Sequence, residues 1–269
     1  MRIRCGYQIA YECPRPTPMI LLLKVHPSRD DDLETPDLMI TDPAIPARDY
    51  ADRFGNICTR LLAPPGRLVL RSDFVVRDTG EPDPIVEDAP QVPVEDLPDE
   101  VMVFLLSSRY CETELLSDFA WKTFGSTPPG WGRVQAIVDY AHERIQFGYQ
   151  HARPTMTAFE AHQEQRGVCR DFAHLAVTLC RCMNIPARYC TGYLGDIGVP
   201  YSPAPMDFSA WFQVWLGDRW HTFDARHNTP RIGRVLMAVG RDATDTAIIT
   251  NFGAARLEEF TVITDELVE

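Results

Sequence analysis

Between Val168 and Pro186 the apolar residues fall into one stripe. Phe172, Leu175, Ala176, Leu179 and Met183 recur at three- and four-residue steps. That period places them on one face of an α-helix, which the spacing predicts to begin at Cys169 and to stop at Asn184 and Pro186. The next stretch, "ARYCTGYL" (187–194), reads as a strand. The helical period recurs in "ETELLSDFAWKTF" (112–124), through Leu115, Leu116, Phe119 and Phe124, and in "RVQAIVDYAHERIQF" (133–147), through Val134, Ile137, Val138, Ala141 and Ile145. Further on, "SAWFQVWL" and "RWHTFDA" flank Gly217-Asp218, the pattern of two strands around a two-residue turn.

The pattern differs before residue 100. There the chain runs as short alternating or β-branched segments, "YQIAYEC", "MILLLKV", "DLMITD", "NICTRLLA" and "RLVLRSDFVVRD", broken by Pro, Gly and Asp. Fourteen of the 22 prolines lie in this part, which favours a small antiparallel β-sandwich over helices. Residues 79–100 are acidic and proline-rich, as a connector would be. The expected organisation is therefore α+β: a β-rich domain over 1–95, then a domain over 96–269 in which helices precede an antiparallel sheet.

Charge narrows the partners. The net charge of −12 over 269 residues argues against binding nucleic acid or an anionic membrane surface. Lys24 and Lys122 are the only lysines, so the chain is a poor amine donor for its own cross-linking. The apolar run Met19–Leu23 is too short for the core of a signal peptide, and no stretch reaches the length of a membrane span. A cytoplasmic location is the expectation. The eight cysteines show no framework of regular spacing and no CxxC pair, so reduced thiols are expected, with no metal and no cofactor.

Cys169 is the cysteine whose position suggests chemistry. It follows Gly167 and opens the helical stripe, so it sits where unpaired backbone N–H groups and the helix dipole favour a thiolate. The thiolate is the nucleophilic form. Cys180, Cys182 and Cys190 read as small core residues.

The stretch "GVCRDFAHLAVTLCRCMNIPARYCTGYL" (167–194), followed by "SAWFQVWLGDRWHTFDARHN" (209–228), resembles the bacterial transglutaminase-like superfamily. "DRFGN" (52–56), "SSRYCETELL" (107–116) and "GRDATDTAIITNFG" (240–253) fit as well, so the resemblance spans nearly the whole chain. It implies a papain-like or transglutaminase-like core that carries Cys, His and Asp in that order, with the Cys helix packed on an antiparallel sheet. Carried over by position, Cys169 is the nucleophile and Asp224 orients the base. The superfamily usually shows His-Ala-Trp where this chain has Ser209-Ala210-Trp211, so Ser209 occupies the place of the base. The implied activity is cleavage or transfer of an acyl group from a peptide or small amide substrate through a Cys169 thioester. Amidase, peptidase and acyltransferase outcomes all fit. The alternative is an impaired pseudoenzyme retained as a peptide- or protein-binding module, with Trp211 among the aromatic residues available to touch a ligand.

Strand parity tests which histidine can replace the missing one. A two-residue turn at Gly217-Asp218 pairs Leu216 with Arg219 and brings Trp211 opposite Asp224. Ser209, Trp211, Asp224 and Arg226 then share a face. His221 and His227 have the opposite parity, although His227 lies just beyond the strand, where parity relaxes. It is the candidate substitute base. His174 points about 140° away from Cys169 around the helix. His142, His151 and His162 carry no spacing signal.

Overall fold

The computed structural model describes residues 1–202 and 205–268. Six strands come first: β1 (Arg2–Cys13), β2 (Thr17–Leu21), β3 (Ile40–Asp42), β4 (Ala47–Ala51), β5 (Ile57–Ala63) and β6 (Gly66–Arg77). Along β6 the buried positions Leu68, Leu70, Ser72, Phe74 and Val76 alternate with outward ones, the period a half-buried strand requires. The helices follow: α1 (Asp99–Met102), α2 (Thr113–Phe124), α3 (Trp131–Arg144), α4 (Ala158–Glu164) and α5 (Cys169–Cys182), with the two-residue strands β7 (Gln146–Phe147) and β8 (Arg166–Gly167) among them. The chain ends in β9 (Ala187–Tyr193), β10 (Ser209–Leu216), β11 (Arg219–Phe223), β12 (Val235–Gly240), β13 (Ile249–Asn251) and β14 (Arg256–Glu266).

Three four-stranded antiparallel sheets result. Two of them, in the orders β14-β1-β6-β3 and β13-β2-β5-β4, enclose a common core of Ile9, Met19, Leu21, Leu61, Leu70 and Phe74. The third, β11-β10-β9-β12, carries the helices. Phe212, Val214 and Leu216 of β10 pack with Leu175 and Leu179 of α5 and with Val134 and Ile137 of α3. Tyr193 and Val235 of the same sheet join the core of the β-rich part, so the third sheet is a wall shared by both halves.

The expected boundary at residue 95 assigns the C-terminal strands to the second half. In the structure β14 pairs with β1 and β13 with β2, so residues 249–266 complete the β-rich half. Periodicity marks a strand but not its partner, and this pairing spans almost the whole chain.

Helix α5 also differs from a helix with one apolar stripe. Every residue from Asp171 to Cys182 is buried. Buried polar groups call for hydrogen bonds, and most here have them: His174 Nε2 accepts the Ala243 N–H at 3.1 Å, while His174 Nδ1 is buried with no partner among the described residues. Thr178 Oγ1 donates to the His174 carbonyl at 2.7 Å, and Arg181 donates to the carbonyls of Ala187 and Leu106 at 2.9 and 3.1 Å. Tyr110 and Tyr189 lie on His174 with ring centroids 5.0 Å away. His174 is thus enclosed among aromatic rings.

All eight cysteines are free thiols. Burial pushes Cys182 and Cys190 up to about 12. Above the free-thiol value of about 8.5 the native state then holds more protons than the unfolded chain. Each such group lowers stability by about 1.4 kcal/mol per pH unit until its own pKa is reached. The midpoint of thermal unfolding is therefore expected to fall steadily between pH 8.5 and 10.5. A flat profile would refute the burial of these thiols.

Candidate active site

Cys169 is the first residue of α5, preceded by the extended Val168. The helix start is fixed from behind by Asp171, whose carboxylate accepts the Val168 N–H at 2.8 Å. Gly167 is needed for that approach, because a Cβ there would lie 2.7 Å from the Asp171 side chain. Gly167→Ala is expected to displace the Asp171 cap and to destabilise the fold by about 1–3 kcal/mol. Chemical denaturation measures this, and an unchanged midpoint would contradict the close approach.

The sequence places Cys169 where a thiolate is favoured, but burial opposes it. Desolvation pushes the thiol up to about 11, despite the nearby Arg226 and the Ala210 and Arg170 backbone N–H groups, which act the other way; Asp207 adds to the rise. The resting sulfur is therefore a thiol at neutral pH and needs a proton acceptor.

Across the sheet, β10 and β11 pair Leu216 with Arg219 and Phe212 with Phe223, the register expected of a two-residue turn. The ladder ends at Phe223. Asp224 follows it, buried, and the chain turns back over residues 224–227. Asp224 Oδ1 accepts the N–H groups of Arg226 and His227 at 3.0 Å each. His227 Nδ1 lies 2.8 Å from Asp224 Oδ2, and since a carboxylate can only accept, Nδ1 is the donor. His227 thus reaches the orienting carboxylate through a turn, where strand parity no longer applies. Its Nε2 has no hydrogen-bond partner among the described residues.

Asp224 is held from the other side by Arg234, whose Nη2 donates to Oδ2 at 2.9 Å while its Nε donates to Asp83 at 2.8 Å. Burial alone would raise the Asp224 pKa. Arg234 and the His227 contacts outweigh it and hold the carboxyl well below its usual range. The Arg234 guanidinium lies 5.0 Å from the centre of the Trp211 ring. Trp211 is only 2% exposed and packs with Cys190 and Val239. The expectation that Trp211 touches a ligand places it on the cleft; instead it supports Arg234 from the interior. Arg234 carries no spacing signal relative to Asp224 that would single it out in the sequence.

Cys169, Ser209, Arg226, His227, Asp207 and Tyr149 line one open cleft of about 460 Å³. Ser209 opens β10 opposite Gly192, and its hydroxyl makes no hydrogen bond among the described residues. A second hollow of about 570 Å³ is lined by Trp131, Gln135 and Asn228. Asp224 reaches it, but Cys169 and His227 do not. The other histidines stand apart from the cysteine cleft: His221 is buried with its ring against Trp131, and His142 Nδ1 lies 2.9 Å from the Arg226 carbonyl. Among the described residues no three His, Cys, Asp or Glu side chains gather as metal ligands would, and no helix is long and apolar enough to cross a membrane.

The transglutaminase-like superfamily profile matches residues 118–225, a span that includes Cys169, Ser209 and Asp224. A crystal structure from Cytophaga hutchinsonii, of a protein described as a candidate cysteine protease, is 30% identical. It superposes with a TM-score of 0.86, covering 100% of this chain and 91% of that one. The chain belongs to the transglutaminase-like superfamily. An uncharacterized protein of Mycobacterium leprae is 29% identical over 238 residues, covering 83% of this chain and 84% of that protein. The superfamily match ends at Ala225, so His227 and Arg234, the residue before β12, lie just outside it.

Proposed function

We propose that the protein is a cysteine enzyme that cleaves or transfers the acyl group of an amide through a thioester on Cys169, with His227 as its base. One observation carries this reading: the helix-start thiol and a histidine oriented by a buried carboxylate line the same cleft. The Cys169 sulfur attacks the amide carbonyl carbon as its proton passes to His227 Nε2. The resulting imidazolium is stabilised by Asp224, as in other nucleophile–base–carboxylate sites. Collapse of the tetrahedral intermediate breaks the C–N bond, and His227 returns the proton to the departing amine. Water or a second amine then attacks the thioester and releases Cys169. In this scheme backbone N–H groups at the start of α5 supply the donors for the oxyanion.

Ser209 takes no proton in this scheme, because a serine hydroxyl is not a base near neutral pH. A peptide p-nitroanilide library, followed by intact-protein mass spectrometry, tests the reading. The expected result is a mass increase on Cys169 equal to the acyl group, absent in Cys169→Ala together with turnover. Turnover that survives Cys169→Ala would refute the thioester route. A protein that binds peptides without forming an acyl adduct would be a binding module instead.

A further inference from the structure

Two arginines on the wall of the cysteine cleft form no ion pair among the described residues. Arg226 lies with its guanidinium 3.9 Å from the centre of the Phe147 ring and forms no ion pair among the described residues. Arg231 is 5% exposed; one of its nitrogens donates to the Gly195 carbonyl at 2.8 Å, and its Nε is buried with no partner. Their neighbour Arg234 shows the contrast, since it is ion-paired to both Asp83 and Asp224. A buried guanidinium without an anion is costly, and its planar fork matches a carboxylate. The acids of the same cleft face other groups: Asp196 accepts the Ser202 N–H and Asp207 the Phe208 N–H, each at 2.7 Å. Asp265 also lines the cleft, and none of the three is within ion-pair distance of Arg226 or Arg231 among the described residues. Asp207 lies near enough to Arg226, and Asp196 and Asp224 to Arg231, to interact through charge, but neither guanidinium is ion-paired among the described residues.

We infer that the cleft recognises a carboxylate on its acyl substrate, held by Arg231 and Arg226, so that the substrate class is an acidic peptide amide. This rests on Cys169 being the acyl-enzyme nucleophile, and it reverses what the overall charge suggests about substrate preference. The carboxylate can come from an acidic side chain or from a free peptide C-terminus. Both present the same group to the arginines.

The test compares alkylation of Cys169 by iodoacetate and by iodoacetamide, read by peptide mass spectrometry. The two reagents deliver similar groups to sulfur and differ in charge, so the ratio of their rates cancels the thiolate fraction. At low salt the ratio is expected to exceed that of glutathione by about tenfold. It should fall at least about threefold in Arg231→Gln and, as a second variant in case the first misfolds, in Arg226→Gln. A ratio no higher than that of glutathione, or one unmoved by the correctly folded variants, overturns the inference while leaving the nucleophile reading intact. If Cys169 reacts with neither reagent, the nucleophile reading fails, and thermal stabilisation of the Cys169→Ala protein decides the anion site. Glutarate should then raise its melting temperature and glutaramide should not; equal effects overturn the inference. With activity in hand, Glu against Gln in the substrate peptide, and a free against an amidated C-terminus, identify which carboxylate is read.

Discussion

Replacing His227 with alanine is expected to lower kcat/KM for an amide substrate by about 10²–10⁴, the usual contribution of a positioned general base. The size of the effect follows from the state of the sulfur. Desolvation pushes the Cys169 thiol up, so the nucleophile depends on a positioned acceptor for its proton. Among the described residues His227 is the histidine that lines the cleft with Cys169, and Asp224 fixes its ring with Nε2 free of a hydrogen-bond partner. Ser209→Ala, by contrast, is expected to change kcat/KM by less than about threefold, because the hydroxyl can neither take the proton at neutral pH nor orient another group. Introducing Ser209→His into the His227→Ala protein should restore part of the rate, since position 209 lines the same cleft as Cys169. Full activity in His227→Ala, or its loss in Ser209→Ala, would remove His227 from the mechanism.

Asp224→Asn is expected to cost about 3–5 kcal/mol of stability as well as most of the activity, because it leaves a buried Arg234 facing a neutral amide. The carboxylate accepts four hydrogen bonds from Arg226, His227 and Arg234, and asparagine keeps a single accepting oxygen, so the substitution cannot satisfy all of these donors. A double-mutant cycle with Arg234→Met isolates the pair. The double variant should be more stable than the sum of the two single losses predicts, and strict additivity would mean that the two groups do not interact. The pH dependence has a definite sign. The Asp224 pKa is held below its unfolded value, so its contribution is complete above about pH 4. That contribution disappears as the pH falls through the folded value, and the acid limb of the unfolding curve should flatten in Asp224→Asn.

Much of this arrangement was legible in the order of residues. Local period is a local property, so α2, α3, α5, β9, β10 and β11 could be placed within about three residues of their observed ends. The Gly217-Asp218 turn determines register in the same local way, because one turn length allows one pairing. The short helix α4 buries only Ala158 and Ala161 and gave no apolar stripe, although Thr157 and Glu160 form a capping box that the sequence displays. Strand β14 went unread because most of its residues are exposed and its buried positions are few.

The sequence by itself determined the chemistry available: a cysteine at a helix start, an aspartate at a strand end, and a serine where a histidine is usual. Only the tertiary structure decided how those groups work. Closure of the β-rich half by β14, the clamp of Arg234 on Asp224, the withdrawal of Trp211 into the interior and the two arginines left facing the cleft all join residues distant in the chain or displaced from regular geometry. The return of His227 to Asp224 is the plainest case. Alternation along a strand assigns His227 to the wrong face, and a turn of four residues, held by hydrogen bonds to the Asp224 carboxylate, reverses that assignment. Burial likewise reversed the expectation for Cys169, since the desolvation of a thiolate depends on everything packed around it and the helix start is only one contribution.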